Sequence, residues 1–226
     1  MIGSLQGVLF DFDYTLADSS RGAIACANGA LGEMGFPAAS PEAVRRTIGL
    51  TLGEAFTRLT GSDDAGRRQE FRLVFKQYAD EVMAEMTELF ATVAPAMLAL
   101  KQRGLKLGIV STKFRFRIEA VLRRDGLLDV FDVIIGAEDV TCHKPDPEGL
   151  RKALEHLGIA PANALYVGDS VVDAETALRA GTAFAAVLSG VTGWEEFADF
   201  PAWAVVEDLA HLTAYLEQSA ICVETG

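Results

Sequence analysis

Short apolar runs recur along the chain with helical segments between them, and this alternation constrains the fold more than any other feature. The runs are VLFDF (8–12), LKLGIV (105–110), VIIG (133–136), LYVG (165–168), FAAVL (184–188) and WAVV (203–206). Runs this continuous suit strands of a parallel sheet covered on both faces. Between them, APAMLALKQRG sets Pro95 near a helix start and Gly104 past its end, and PEGLRKALEHLG does the same with Pro147 and Gly158. Strand–helix alternation predicts the α/β class, with a doubly wound, Rossmann-like parallel sheet. At 226 residues and 50% hydrophobic, the chain can bury a sizeable core and is not disordered in composition.

One interval breaks the rhythm. Between Ala17 and about Met86 the signals are helical and no strand is expected. Ser40 and Pro41 read as N-cap and first helical residue, and Thr51-Leu52-Gly53-Glu54 reads as a capping box. Phe71, Val74, Phe75, Tyr78 and Val82 fall on one helical face, a stripe suited to core packing. The expected organisation is a small α-helical cap domain over 17–86 inserted into an α/β core of 1–16 and 87–226. Internal repeats and low-complexity segments are absent from the sequence.

The formal net charge of -12 argues against nucleic acid or an anionic membrane as a partner. A small anionic substrate remains compatible, given a local cation. Cys26, Cys142 and Cys222 are far apart, which suggests a reducing compartment without a disulfide framework. Scattered His143, His156 and His211 give no zinc spacing, and Cys142-His143 reads as adjacent loop residues. The opening MIGSLQG has no signal-peptide pattern, and no run approaches the roughly 20 apolar residues of a membrane span. A soluble, cytoplasmic protein, monomer or homodimer, is expected.

Chemistry gathers at the carboxyl ends of the apolar runs, where ligands bind in open α/β sheets. Asp11 and Asp13 end the first run, although carboxylates rarely enter a core unpaired. Ser111 follows LGIV, Lys144 lies in CHKPDPEG, and Asp169 and Asp173 lie in VGDSVVD before a helix of about ten residues. Singly, each has a local alternative: turn or N-cap chemistry for the aspartates, an N-cap for Ser111, a solvated turn for Lys144. Jointly, they deliver carboxylates, a hydroxyl and an ammonium to one edge. Two like charges about 4 Å apart repel by about 4 kcal/mol at an effective dielectric near 20. Protons or a cation must therefore intervene, and an oxygen donor set without His or Cys suits magnesium, Mg2+.

These motifs resemble those of the haloacid dehalogenase superfamily of phosphohydrolases over essentially the whole chain. DFDYT is similar to its first motif, VST to its second, the lysine of HKPDP to its third and GDSVVD to its fourth. The helical insert resembles the C1 cap, and within the superfamily the chain resembles phosphoglycolate phosphatase-like members. Tyr14 stands where most relatives have glycine, which leaves the backbone beside Asp13 open. The resemblance implies that Asp11 is the nucleophile and Asp13 the general acid and base. Ser111, Thr112 and Lys144 would bind the phosphoryl group. Magnesium would sit on the Asp11 carboxylate, the Asp13 carbonyl and Asp169, with Asp173 directly or through water. Thr15 and Asp18 would serve loop and helix-start hydrogen bonding.

The reaction implied is magnesium-dependent hydrolysis of a small phosphorylated metabolite. Dehalogenases and phosphonatases of the superfamily lack the second aspartate, which Asp13 supplies. Phosphotransferases of the β-phosphoglucomutase type keep all four motifs but carry histidine where this chain has Ala23, which favours hydrolysis. An inorganic pyrophosphatase also stays open. A non-catalytic binding module would be expected to have lost Asp11, Asp13, Lys144 or Asp169. Arg45 and Arg46 could meet a second anionic group, though a solvated pair is expected, and Lys113 could touch substrate, though a solvent-exposed lysine is expected. GLTLG lacks the ending of a phosphate-binding loop, and Phe114, Arg115, Phe116 and Arg117 read as ordinary helix packing.

Overall fold

The computed structural model describes residues 5–224, with side chains through Gln218. The start of MIGSLQG and the Cys222 side chain lie outside the described residues. The chain opens with β1 (Gly7–Phe10) and β2 (Ala17–Asp18), then runs through α1 (Ser20–Glu33), α2 (Pro41–Arg45), α3 (Leu52–Thr60) and α4 (Ala65–Val82). It returns through β3 (Glu88–Leu89), α5 (Val93–Gln102), β4 (Lys106–Val110), α6 (Arg115–Arg124) and β5 (Val133–Ile135). The last part comprises α7 (Glu148–Leu157), β6 (Ala164–Gly168), α8 (Val171–Ala180), β7 (Ala183–Val187), β8 (Ala204–Val206) and α9 (Leu209–Glu224).

β1 lies at the centre of a six-stranded sheet of order β5-β4-β1-β6-β7-β8, with every pairing parallel. In chain order this is the doubly wound arrangement, and the order reverses beside β1. Alternate strand residues feed two cores, as the period of a strand requires. Val8, Phe10, Leu107, Ile109 and Val167 pack with Met97, Ile118 and Leu212 of α5, α6 and α9. Leu9 and Tyr166 pack the other way, against Leu150, Leu154, Ala174 and Ala177 of α7 and α8.

The helices between β2 and β3 carry a core of their own. Cys26, Leu31, Phe56, Phe71 and Phe75 bury together, and Phe56 meets Phe36 edge-on and Phe71 at a tilt, each at 5.4 Å between ring centroids. Each such buried side chain contributes roughly 1.5–3 kcal/mol, so the module is more than a loop. Val74, Tyr78 and Val82 pack against this cluster, as their helical spacing suggests. Ser40 accepts from the Ala43 amide, and Thr51 and Glu54 form a reciprocal capping box.

Two residues depart from the helical expectation for this interval. Ala17 and Asp18 form β2 and pair antiparallel with Leu89 and Glu88, tying the entry of the helical segment to its exit. A two-residue strand is too short to show a period of two, so no pattern announces it. Among the described residues no helix is long and apolar enough to cross a membrane.

Candidate active site

The end of β1 is extended by one residue, because the Asp11 amide donates to the Val167 carbonyl of β6 at 2.9 Å. That bond fixes Asp11 at the reversal point of the sheet. The chain then turns tightly: the amides of Leu16 and Ala17 both donate to the Phe12 carbonyl, and the Tyr14 amide donates to Ala17. Tyr14 takes a left-handed backbone with φ 62, a conformation costing about 1–2 kcal/mol for a residue with a Cβ. Ser189 Oγ donates to the Tyr14 carbonyl at 2.5 Å and helps hold it there. The loop thus keeps the geometry that glycine adopts freely, with the Tyr14 ring buried for packing.

Lys144 is buried and serves as the hub of the charged cluster. Its Nζ lies 2.9 Å from Asp11 Oδ1 and 2.7 Å from Asp173 Oδ1. Tyr166, from the middle of β6, brings its hydroxyl within 3.4 Å of the same ammonium and donates to the Val110 carbonyl at 2.9 Å. Asp173 also accepts from the Ser170 amide and hydroxyl, because Ser170 is the N-cap of α8 and Asp173 closes its capping box. The helix start is therefore capped by Ser170, and Asp169 is left free for the cluster rather than spent as a cap. Gly168 and Gly190 make room for it: a Cβ at Gly168 would strike Asp173, and one at Gly190 would strike the Asp169 carboxylate.

Charge is not balanced within this cluster. Oxygens of Asp11, Asp169 and Asp173 lie within 4.8 Å of one another, all buried. At that distance two ionised carboxylates repel by about 3.5 kcal/mol at an effective dielectric near 20. Burial pushes Asp11 up to about 6, against the pull of Lys144 and with the help of Asp173 and Asp13. Burial likewise holds Asp169 well above the usual carboxylate range, reinforced by Asp173 and Asp11. Burial opposes the Lys144 ammonium, but Asp11 and Asp173 outweigh it and raise its pKa well above the ordinary lysine value. Despite the close ammonium, Asp11 Oδ1 is buried with no aligned hydrogen-bond donor, and Asp169 has no ion-pair partner among the described residues. Excess negative charge with unshared oxygen lone pairs is what a hard divalent cation fits. Cys142 and His143 join no metal-capable group among the described residues.

Asp13 has a different neighbour. Lys113 Nζ ion-pairs with Asp13 Oδ1 at 2.8 Å, and the lysine side chain is only 7% exposed. This corrects the expectation of a solvent-exposed Lys113. The two residues are a hundred positions apart, so only the docking of β4 beside β1 reveals the pair. Ser111 is buried and accepts from the Lys113 amide at 3.3 Å, whereas α6 begins later with Phe114 at its N-cap position. Ser111 is thus not an N-cap. Thr112 donates across to the Gly49 carbonyl of the helical segment at 3.3 Å.

Other residues of the segment after Lys113 also join the two modules. Phe114 and Phe116 form a ring pair at 5.8 Å, as local packing. Arg117 does more than pack: it is buried and pairs with Asp80 of α4 at 2.6 Å. Arg46 pairs with Glu42 on the exposed face of α2, and Arg45 is exposed, in line with a solvated pair. Between the modules lies a cavity of about 670 Å³, with Asp13, Thr112 and Lys113 on its core side and residues of α3 and α4 opposite. Ala23, at the position where phosphotransferases of the mutase type carry histidine, also lines it.

Known proteins resemble this chain in sequence and in fold. The sequence matches the family described as haloacid dehalogenase-like hydrolase over residues 8–187. It is 34% identical over 198 residues to a phosphoglycolate phosphatase from Shigella boydii serotype 4 (strain Sb227), covering 78% of this chain and 79% of that protein. Pyrophosphatase PpaX from Bacillus mycoides (strain KBAB4) is 35% identical over 183 residues, covering 81% of this chain and 83% of its own. A crystal structure described as a haloacid dehalogenase-like hydrolase from Bacteroides fragilis has a TM-score of 0.90 and 46% identity, covering 92% of this chain and all of that one.

Proposed function

This chain belongs to the haloacid dehalogenase-like hydrolase family and is a phosphatase, and we propose that it hydrolyses a small phosphomonoester through an aspartyl-phosphate on Asp11. One observation carries the assignment: a buried carboxylate at the reversal point of the sheet, with its Oδ1 2.9 Å from a buried ammonium that can also neutralise an incoming phosphoryl group.

In the first step an Asp11 oxygen bonds to phosphorus while the bond to the leaving oxygen breaks, and Asp13 gives that oxygen its proton. In the second, Asp13 takes a proton from water, the water oxygen attacks phosphorus, and the bond to Asp11 breaks to release phosphate. Lys144 and Ser111 neutralise and orient the phosphoryl oxygens, with Thr112 beside them. Asp173 and Tyr166 are positioning residues for Lys144, and Lys113 is a positioning residue for Asp13. The donor set of the Asp11 carboxylate, the Asp13 carbonyl and Asp169 would hold magnesium, whose charge offsets that of the carboxylates and the phosphoryl group. Both Asp173 oxygens already accept hydrogen bonds, which favours its acting beside the metal or through water.

The helical segment over 17–86 acts as a cap on the core of 1–16 and 87–226, a division supported by its separate hydrophobic cluster. Ala23 supports hydrolysis over phosphoryl transfer to a second hydroxyl, since that position carries a methyl group and not an imidazole. Inorganic pyrophosphate is the second substrate reading, favoured by the pyrophosphatase relative. The unpaired Cys26 and Cys142 support a cytoplasmic enzyme, and the net charge of -12 supports a small metabolite rather than nucleic acid or membrane as its partner. Monomer or homodimer is the proposed assembly. A single turnover with phosphorus-labelled ester tests the mechanism: the label should appear transiently on Asp11 and be lost as free phosphate. Phosphate release without protein label, or label on another residue, would displace Asp11 as nucleophile.

A further inference from the structure

The cavity between the modules is strongly asymmetric in charge. Asp13 is its only carboxylate among the described residues, against Arg68, Arg72, Lys76, Lys113 and Arg117. Two of these cations are already neutralised, Lys113 by Asp13 at 2.8 Å and Arg117 by Asp80 at 2.6 Å. The other three lie on α4 at i, i+4 and i+8, so one helix face presents a positive charge about every 6 Å. Like charges at that spacing destabilise a helix, and among the described residues no carboxylate stands within ion-pair distance of the three. Arg68 donates to the neutral Thr57 hydroxyl at 2.8 Å, and Lys76 stands 5.4 Å over the Phe114 ring. Arg72 has no hydrogen bond or ion pair among the described residues. The chain has 32 acidic residues against 20 basic ones, so a cationic row that meets no carboxylate is against the composition.

We infer that this row of α4 binds a second anionic group, carried on the leaving alcohol of the substrate and remote from the scissile ester. This substrate class presupposes the phosphatase reading of Asp11 and narrows it: the alcohol bears a further phosphate or carboxylate. Space agrees, because about 670 Å³ is enough for a small-molecule ligand and far exceeds a phosphoryl group. Ile48, Leu50 and Leu73 add apolar wall along which a spacer can lie. Long-range electrostatics agree as well. A protein of net charge -12 repels a polyanionic ester at a distance, and a local cationic row facing the cleft reverses that field where it matters.

Three series of esters of matched chain length test the assignment: alkyl phosphates, ω-carboxyalkyl phosphates and α,ω-alkanediol bisphosphates. Both series with a second anionic group should exceed the alkyl phosphates in kcat/KM by about tenfold or more, with the advantage shrinking as salt is raised. Whichever series leads identifies the distal group as carboxylate or phosphate. In Arg72→Gln/Lys76→Gln the ratio of kcat/KM for esters with the second anionic group to that for alkyl esters should fall by about tenfold, and Arg72→Lys should largely preserve it. Both side chains are exposed, so their replacement leaves the core intact. Equal kcat/KM across the three series, or a ratio unmoved by the double variant, would overturn the cationic row while leaving Asp11 chemistry standing. Absence of phosphate release and of protein label with every series would overturn both.

Discussion

At the carboxyl end of β1, Lys144 is buried between two carboxylates, and Asp173 is wholly inaccessible with three donors on it. Across the cavity on α4, Arg72 and Lys76 are exposed and meet no charged partner among the described residues. Both regions concentrate charge, but at different cost. A buried charge must be matched atom by atom, because removing one partner leaves the other desolvated at a cost of about 3–5 kcal/mol. An exposed charge stays hydrated, and changing it shifts affinity by degrees. The first region can therefore serve one chemistry with little tolerance, whereas the second can be altered without loss of the fold. A catalytic core with an adjustable cap follows from that difference in solvation.

The largest effect should come from the centre of the buried region. Asp11→Asn should abolish turnover and protein labelling while the protein stays folded, since an amide cannot attack phosphorus and a charge leaves a crowded site. Activity within about tenfold of the parent would remove Asp11 from the mechanism. Asp13→Ala should cost about 10² or more in kcat. Lys113→Met should lose less, and its loss should be greater for esters of poor leaving alcohols than for p-nitrophenyl phosphate. A purely structural lysine would lower both rates alike, so an equal loss would count against positioning of Asp13.

Metal addition probes the same region without mutation. Magnesium at about 100 times Kd should stabilise chelator-treated protein by about 2.7 kcal/mol, or roughly 5–10 °C in melting temperature at this size. Asp169→Asn should lose most of that rise, because it removes a carboxylate with no other cation to satisfy it. A full rise in the variant, read by thermal melt, would place the metal elsewhere.

The smallest effect lies on the exposed loop that delivers Lys144. Glu148 accepts from the amides of Thr141 and Cys142 and from Lys152, which together lower its pKa to about 2, with Lys152 first among the causes. Because the folded value is depressed, its bracing is present above the ordinary value near 4.5 and fades as pH falls towards 2. Glu148→Gln should therefore raise KM by about threefold at most, and equally at pH 5 and pH 8. A pH-dependent change within that window would mean that another group braces the loop.

Much of this was legible in the chain before any coordinates. The apolar runs, the Pro and Gly helix bounds and the Thr51–Glu54 capping box are local physics, set by residues a few positions apart, and they specify strands and helices directly. Asp11, Ser111, Lys144 and Asp169 could be placed on one edge because parallel strands all end on the same side. Tertiary structure alone decided the partners. Lys113 reads as an exposed lysine until β4 docks beside β1 and sets it against Asp13, and Arg117 reads as ordinary helix packing until α4 brings Asp80 to it. The cationic row of Arg68, Arg72 and Lys76 is an ordinary solvated face in sequence, and becomes one wall of a cleft only when the helical module closes over the sheet. Solvation explains the division: whether a side chain is exposed or buried, paired or alone, depends on what is packed against it, and sequence neighbours do not carry that information.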